Sequence, residues 1–235
     1  MSKNGINIAT HPLIAHKMTH LRNKDTSPQE FRRLLREITF YLGYEATRDL
    51  NMERRTVTTP LNCVAEGSQV KDSISLIPIL RAGLGMTDGM LDLIPKASIH
   101  HIGMYRKKDS LMPVQYYNKL PRDQVCDIAY ILDPCIATSG TINAVISIVK
   151  KWGAKKIVLI SAIGAKVGVD NILAKHPDIQ IHIAAIDDEL SDEGMIVPGL
   201  GDAGDRQFCT PDVDELVEGA SVKRKAETIN GKNKK

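Results

Sequence analysis

Residues Ile131 to Thr141 read ILDPCIATSGT. An apolar stretch stops at Asp133, passes through Pro134, Cys135 and Ile136, and becomes Ala137, Thr138, Ser139, Gly140 and Thr141. Backbone N–H groups and small hydroxyls in a turn that opens a helix converge on an anion, which the helix dipole favours. A phosphate monoester is the simplest occupant. Small residues also make ordinary strand-to-helix turns, and Thr or Ser there is an ordinary N-cap. Asp133 separates the two readings. An acid at a strand end beside a phosphate cradle is costly unless it meets ribose hydroxyls or a developing cation.

A second glycine-rich turn, RAGLG, begins at Arg81 after the run SISLIPIL. Its glycines Gly83, Gly85 and Gly89 have the spacing GxGxxxG, and an arginine at its head suits an anion. GLGDAG, with Gly199, Gly201 and Gly204, matches GxGxxG literally. A dinucleotide fingerprint needs a strand before it, a helix after it and a further strand; Pro198 precedes this one and CTP comes directly after Phe208, so the match is accidental. Neither strand-end turn carries the lysine of a P-loop. Cys63, Cys126, Cys135 and Cys209 are far apart, which argues for reduced thiols and against a zinc site or a disulfide framework. His11, His16, His100 and His101 have no metal-site spacing.

These turns need elements to hold them. Ser27, Pro28 and Glu30 are a helix start, and Phe31, Leu34, Leu35, Ile38, Tyr41 and Leu42 follow at helical spacing. Ser73 to Leu80 reads as a buried strand and is followed by a short helical segment to Leu93. Ala97 to Met104 reads as the next strand. Arg106 to Lys119 is polar, with a Tyr116–Tyr117 pair, and is expected to be a long loop or hairpin, with the two tyrosines either on a flap or in the core. Ile128 to Leu132 is a short strand and Thr141 to Trp152 an amphipathic helix. Strands at Lys156 to Ala162 and Ile179 to Ala185 flank the helical GVDNILAKH. Such alternation predicts an α/β fold: a mostly parallel sheet flanked by helices, with ligands at the carboxyl ends of its strands. After Ile186 the alternation stops, and Ser191 to Pro211 reads as an irregular cap over that edge.

At 235 residues, 43% of them hydrophobic, the chain can bury one full core. The expected organisation is a single domain over residues 1–220, with an N-terminal arm at 1–26 and the cap at about 187–211, and then a basic, disordered tail at 221–235. No apolar run reaches the ~20 residues that span a bilayer, and the start lacks a secretory h-region, so a cytoplasmic location and no membrane partner are expected. The net charge of +3 rests on the tail KRKAETINGKNKK. That tail is the one feature pointing to nucleic acid, and such tails more often only solubilise.

DPCIATSGT, PILRAGLGMTDGM, HIGMYR, YYNKLP and IVPGLGDAGDRQF together resemble the uracil phosphoribosyltransferases, a type I phosphoribosyltransferase family; the likeness runs from HPLIAHKM to Phe208. Cys135-Ile136 and Ser139 stand where the family more often has Met-Leu and glycine or alanine. The resemblance implies the type I fold with a C-terminal hood and a hairpin or flap arm. It implies transfer of phosphoribose from 5-phospho-α-D-ribose 1-diphosphate to uracil, giving UMP and diphosphate. Mg²⁺ would be held mainly through that substrate, with no direct protein ligand. Arg81 and Arg106 would take the diphosphate, Asp133 the ribose, and Pro134, Cys135, Ile136 and Ala137 to Thr141 the rest of the phosphoribosyl group. Ile196, Gly201, Asp202 and Ala203 would form the uracil site, with Ile196, Gly201 and Ala203 reading the base through backbone groups, and Asp202 would also contact the phosphoribosyl substrate. Asp133, Arg106 and Asp202 are then the catalytic candidates. A homodimer or homotetramer, and GTP as a candidate regulator, belong to the same expectation. Asp202 and Asp205 are also ordinary turn formers.

Overall fold

A computed structural model describes residues 5–106 and 113–210 of the chain. The chain enters through strand β1 (Ile6–Ile8) and helices α1 (Pro12–Arg22) and α2 (Pro28–Ala46). Helix α2 starts as its sequence dictates: the Ser27 hydroxyl accepts from the Glu30 N–H, and Pro28 occupies the first turn. Phe31, Leu34, Leu35, Ile38 and Leu42 are buried, whereas Tyr41, at the same spacing, lies at the exposed margin of the stripe.

A hairpin of β2 (Met52–Thr58) and β3 (Val64–Val70) comes next, then β4 (Ile74–Leu80), α3 (Leu84–Leu91), β5 (Ser98–Ile99), β6 (Ile102–Arg106) and β7 (Pro113–Asn118). The second half contains β8 (Ile128–Leu132), β9 (Cys135–Ile136), α4 (Gly140–Trp152), β10 (Lys156–Ala165), α5 (Lys166–Lys175) and β11 (Gln180–Asp187). It closes with β12 (Glu189–Leu190), β13 (Ile196–Val197) and α6 (Ala203–Phe208).

The central sheet runs β1-β11-β10-β8-β4-β6-β7, with β5 beside β4 and β9 beside β10. Among the described residues, only β7 of this sheet is antiparallel to its neighbour. Because side chains alternate across a strand, Leu76, Tyr130 and Val158 join α1, α2 and α3 in one core. Ile77, Ile131 and Leu159 join α4 and α5 in another. Both faces are therefore covered, as a parallel sheet requires.

The span Ala97 to Met104 is two strands rather than one. Both follow β4 in the same parallel direction, and the ladder breaks at His100–His101, where His100 N–H bonds Leu76 C=O and its ring meets Trp152 edge-on. Arg106 to Lys119 takes the hairpin alternative, with its tip outside the described residues. Tyr116 and Tyr117 are exposed on that hairpin, not in the core. The β2–β3 hairpin had no signature in the sequence, because β2 is exposed along its whole length and neither face alternates.

Candidate active site

Chain order sets where the site can be. From β4 the chain moves outward to β6, then returns to place β8 on the other side of β4 and continues to β10 and β11. The β4–β8 junction is thus a topological switch point, where loops leaving the strands diverge and open a crevice. Pro78 pairs with Leu132 across this junction, so Arg81 and Asp133 leave the sheet at the same edge. Between them and the segment Gly194 to Gly204 lies a cleft of about 310 Å³.

The ILDPCIATSGT turn is anchored by the sheet. Asp133 N–H donates to Ile160 C=O (3.3 Å), and Pro134 C=O accepts from Ala162 and Ile163 N–H (3.1 and 3.0 Å). Cys135 and Ile136 then pair with β10 as β9. Asp133, Cys135, Ala137, Ser139 and Thr141 line the cleft. Pro134 and Ile136 are buried behind it, and Thr138 and Gly140 sit outside its lining.

Ser139 is the N-cap of α4 at φ 70°, and the structure records no capping bond from its side chain. Its hydroxyl instead accepts from Asn143 Nδ2 at 3.1 Å. The first turn of α4 holds no acid. Its orphan N–H groups and positive dipole end therefore favour an anion from the cleft. Burial, and after it the negative charges of Asp133 and Asp202, push the Cys135 thiol far up, so it stays protonated. Asp133 and Asp202 both line the same cleft.

Across the cleft, β12 and β13 pair antiparallel and α6 closes a hood. The region read as irregular is thus two very short strands and one turn and a half of helix. Asp202 caps α6 by accepting from Asp205 N–H at 2.9 Å, so its turn-forming role is real and it lines the cleft as well. Ile196, Gly201 and Ala203 line the same wall. Gly201 has φ +77°, a conformation that side chains resist.

Arg81 reaches from the sheet edge to the hood, where Nη2 binds Asp205 at 2.9 Å and Nη1 binds Thr210 at 3.0 Å. Its peptide bond with Leu80 is cis. Arg106 ends β6, and its side chain lies outside the described residues, as do Lys107 and Lys108. Met104, two residues before Arg106, lines the cleft.

Four positions that brace the hood escaped the sequence reading. Asp187 ends β11 and forms a two-bond ion pair with Arg22, at 2.6 and 2.7 Å. The hydrogen bond from Arg22 holds its carboxyl below the usual carboxylate value. Arg206 binds the carbonyls of Leu21, Leu200 and Asn23 at 2.7, 2.7 and 2.6 Å, and stacks on Phe31. Gln207 Nε2 bonds the carbonyls of Ala82 and Ala203, tying the Arg81 turn to the hood. Asp187 alone had a signal: like Asp133, it is an acid at the end of a buried strand.

Among the described residues, no group of three or more His, Cys, Asp or Glu side chains could hold a metal ion. Asp133 and Asp202 offer a two-carboxylate environment. That suits a Mg²⁺ ion which keeps most of its oxygen ligands from water and a bound diphosphate.

Fold and cleft define a class: an open parallel α/β sheet with an anion-binding turn at its switch point and a hood over it. The family model for uracil phosphoribosyltransferase matches residues 8–210, and the chain belongs to that family. A uracil phosphoribosyltransferase of Roseiflexus sp. (strain RS-1) is 50% identical over 203 residues, which are 86% of this chain and 97% of that protein. That of Alkaliphilus oremlandii (strain OhILAs) is 46% identical over 210 residues, 89% of this chain and all of its relative. Among solved structures, the AQ2163 protein from Aquifex aeolicus superposes with a TM-score of 0.83 at 35% identity, covering 88% of this chain and 99% of that one.

Proposed function

We propose that the protein transfers the phosphoribosyl group of 5-phospho-α-D-ribose 1-diphosphate to N1 of uracil, forming UMP and diphosphate. One observation carries this reading: a single cleft joins Arg81, Asp133, the N-terminus of α4 and the hood segment Ile196 to Ala203.

Breaking the C1–O bond builds positive charge on the ribose ring and negative charge on the leaving diphosphate. Asp133, at the strand end, binds the ribose hydroxyls and faces the developing cation. Ala137 to Thr141 hold the 5′-phosphate at the helix N-terminus. Arg81 and Arg106 take the diphosphate. Arg81 must then exchange the Asp205 carboxylate for phosphate oxygens; its side chain is 52% exposed, so the pair it gives up is worth little. Bound Mg²⁺ would neutralise diphosphate charge, and Asp133 and Asp202 are the residues placed to approach it. Ile196, Gly201 and Ala203 present backbone groups to the two carbonyls and the N3–H of uracil, while Asp202 contacts the phosphoribosyl substrate. The reaction needs no covalent nucleophile, and the protonated Cys135 thiol is suited to packing rather than attack.

The protein works as a homo-oligomer, a reading supported by the β2–β3 hairpin. Both faces of that hairpin are exposed, including Val57, Leu61 at its tip and Val64. Isolated two-stranded hairpins are marginal in water, and a second copy covering it would bury those side chains. The unpaired thiols of Cys63, Cys126, Cys135 and Cys209 agree with a cytoplasmic location. Incubation with labelled uracil, the ribosyl diphosphate and Mg²⁺ should yield UMP, and sedimentation should give more than one subunit. No UMP from folded protein would overturn the reaction.

A further inference from the structure

Regular secondary structure does little to fix the shape of the hood. Its strands β12 and β13 have two residues each and α6 has six. Yet the segment Ile196 to Ala203 must present backbone groups to a flat base with the directional precision of hydrogen bonds. Gly199 sits at its centre, at φ +61°, and a Cβ there would stand 2.0 Å from the Ile196 carbonyl oxygen. Both backbone groups of Gly199 are taken by one ion pair. Its N–H donates to Asp187 Oδ2 at 2.9 Å, and its C=O accepts from Arg22 Nη1 at 2.9 Å. Arg22 and Asp187 close the ring with their own two bonds.

We propose that Arg22 and Asp187 are positioning residues for the base: their ion pair fixes the Gly199 peptide and thereby sets where Ile196 and Gly201 meet uracil. This rests on the uracil reading of the hood. The pair is well placed for the task. Asp187 is 7% exposed and Arg22 25%, so solvent weakens their bonds less than it would on the surface. A guanidinium suits the task, because its planar fork grips the carboxylate with two bonds while Nη1 also reaches the Gly199 carbonyl. The helix that supplies Arg22 is held from the other side: Arg206 of α6 binds the carbonyls of Leu21 and Asn23, the residues that flank Arg22. Neither Arg22 nor Asp187 lines the cleft, so their effect must pass through Gly199.

The test uses the full chain with Arg22→Met, Asp187→Asn and the double substitution. Uracil KM and kcat are measured beside direct calorimetric binding of the ribosyl diphosphate with Mg²⁺. Each single variant should raise uracil KM by about tenfold or more and leave ribosyl diphosphate binding within about threefold; the double variant should be no worse than the worse single, since the two act as a unit. Arg22→Lys keeps charge and stem but not the fork, and should share the uracil defect. If Asp187→Asn fails to fold, the two Arg22 variants, at the more exposed partner, carry the test. Equal loss of both ligands, or an unchanged uracil KM in Arg22→Met and Arg22→Lys, overturns the proposal. A parent protein that makes no UMP would instead overturn the uracil reading itself.

Discussion

The turn from Asp133 to Thr141 and the hood from Glu189 to Thr210 face each other across one cleft and are held by different means. The turn hangs on the sheet: its backbone bonds go to Ile160, Ala162 and Ile163, and its β9 segment extends the β10 ladder. The hood is held largely by side chains: Arg22 and Arg32 reach it from distant parts of the chain, Asp187 from the end of β11, and its own Arg206 and Gln207 reach outward. The difference reflects the ligands proposed for each. A phosphate is a strong, nearly isotropic charge that a rigid nest of N–H groups satisfies. Uracil differs from cytosine mainly in the order of donors and acceptors along one edge. Reading that order demands backbone groups aimed from outside the loop that carries them.

The largest effect should come from asking the hood to accept the wrong base. Cytosine inverts the donor and acceptor pattern of uracil and would leave buried polar groups facing like partners, so its kcat/KM should fall by about 10⁴ or more. Competition assays with both bases would show it; ready use of cytosine would remove Ile196 to Ala203 from base reading. On the turn side, Asp133→Asn keeps shape and removes charge, and should lower kcat by roughly 10² to 10³. A variant within a few-fold of the parent would make that acid structural.

Gly201→Val separates the halves. At φ +77° a β-branched residue is strained, whereas a Cβ meets only Arg206 Cδ, at 3.6 Å, so the damage is conformational and local to the hood. A strain of about 1–3 kcal/mol corresponds to roughly 5- to 150-fold in uracil kcat/KM, and direct binding of the ribosyl diphosphate should stay near the parent value. Equal loss of both would join turn and hood into one unit. The smallest effect is expected beyond both regions: deletion of Ser221 to Lys235, past the end of the family match at residue 210, should leave uracil turnover unchanged in a steady-state assay.

The sheet side of this comparison was legible because it obeys patterns. Apolar runs such as Ile74–Leu80 and Ile128–Leu132 announce buried parallel strands, and ligands bind at the loops that leave the carboxyl ends of such strands. That rule alone brought Arg81 and Asp133 together, and the small residues after Asp133 marked the helix N-terminus. It would also have marked Asp187, had the acid at the end of β11 been weighed in the same way. The hood was legible as a location only. Its elements are two to six residues long, shorter than any hydrophobic period can report. The β2–β3 hairpin was illegible for the same reason in another form, since exposure of both faces leaves no alternation to read.

By itself, then, the sequence determined the buried strands and amphipathic helices of the central sheet, the two strand-end turns and the charged residues at their heads, because burial and helix initiation are local in the chain and leave periodic or capping marks. Tertiary structure alone decided that Arg22 would meet Asp187, 165 residues away, and Gly199, 177 residues away. Contacts of that range depend on which strands become neighbours and on where each chain segment leaves the sheet. A guanidinium on the last turn of a helix looks the same in sequence whether it faces water or a buried carboxylate.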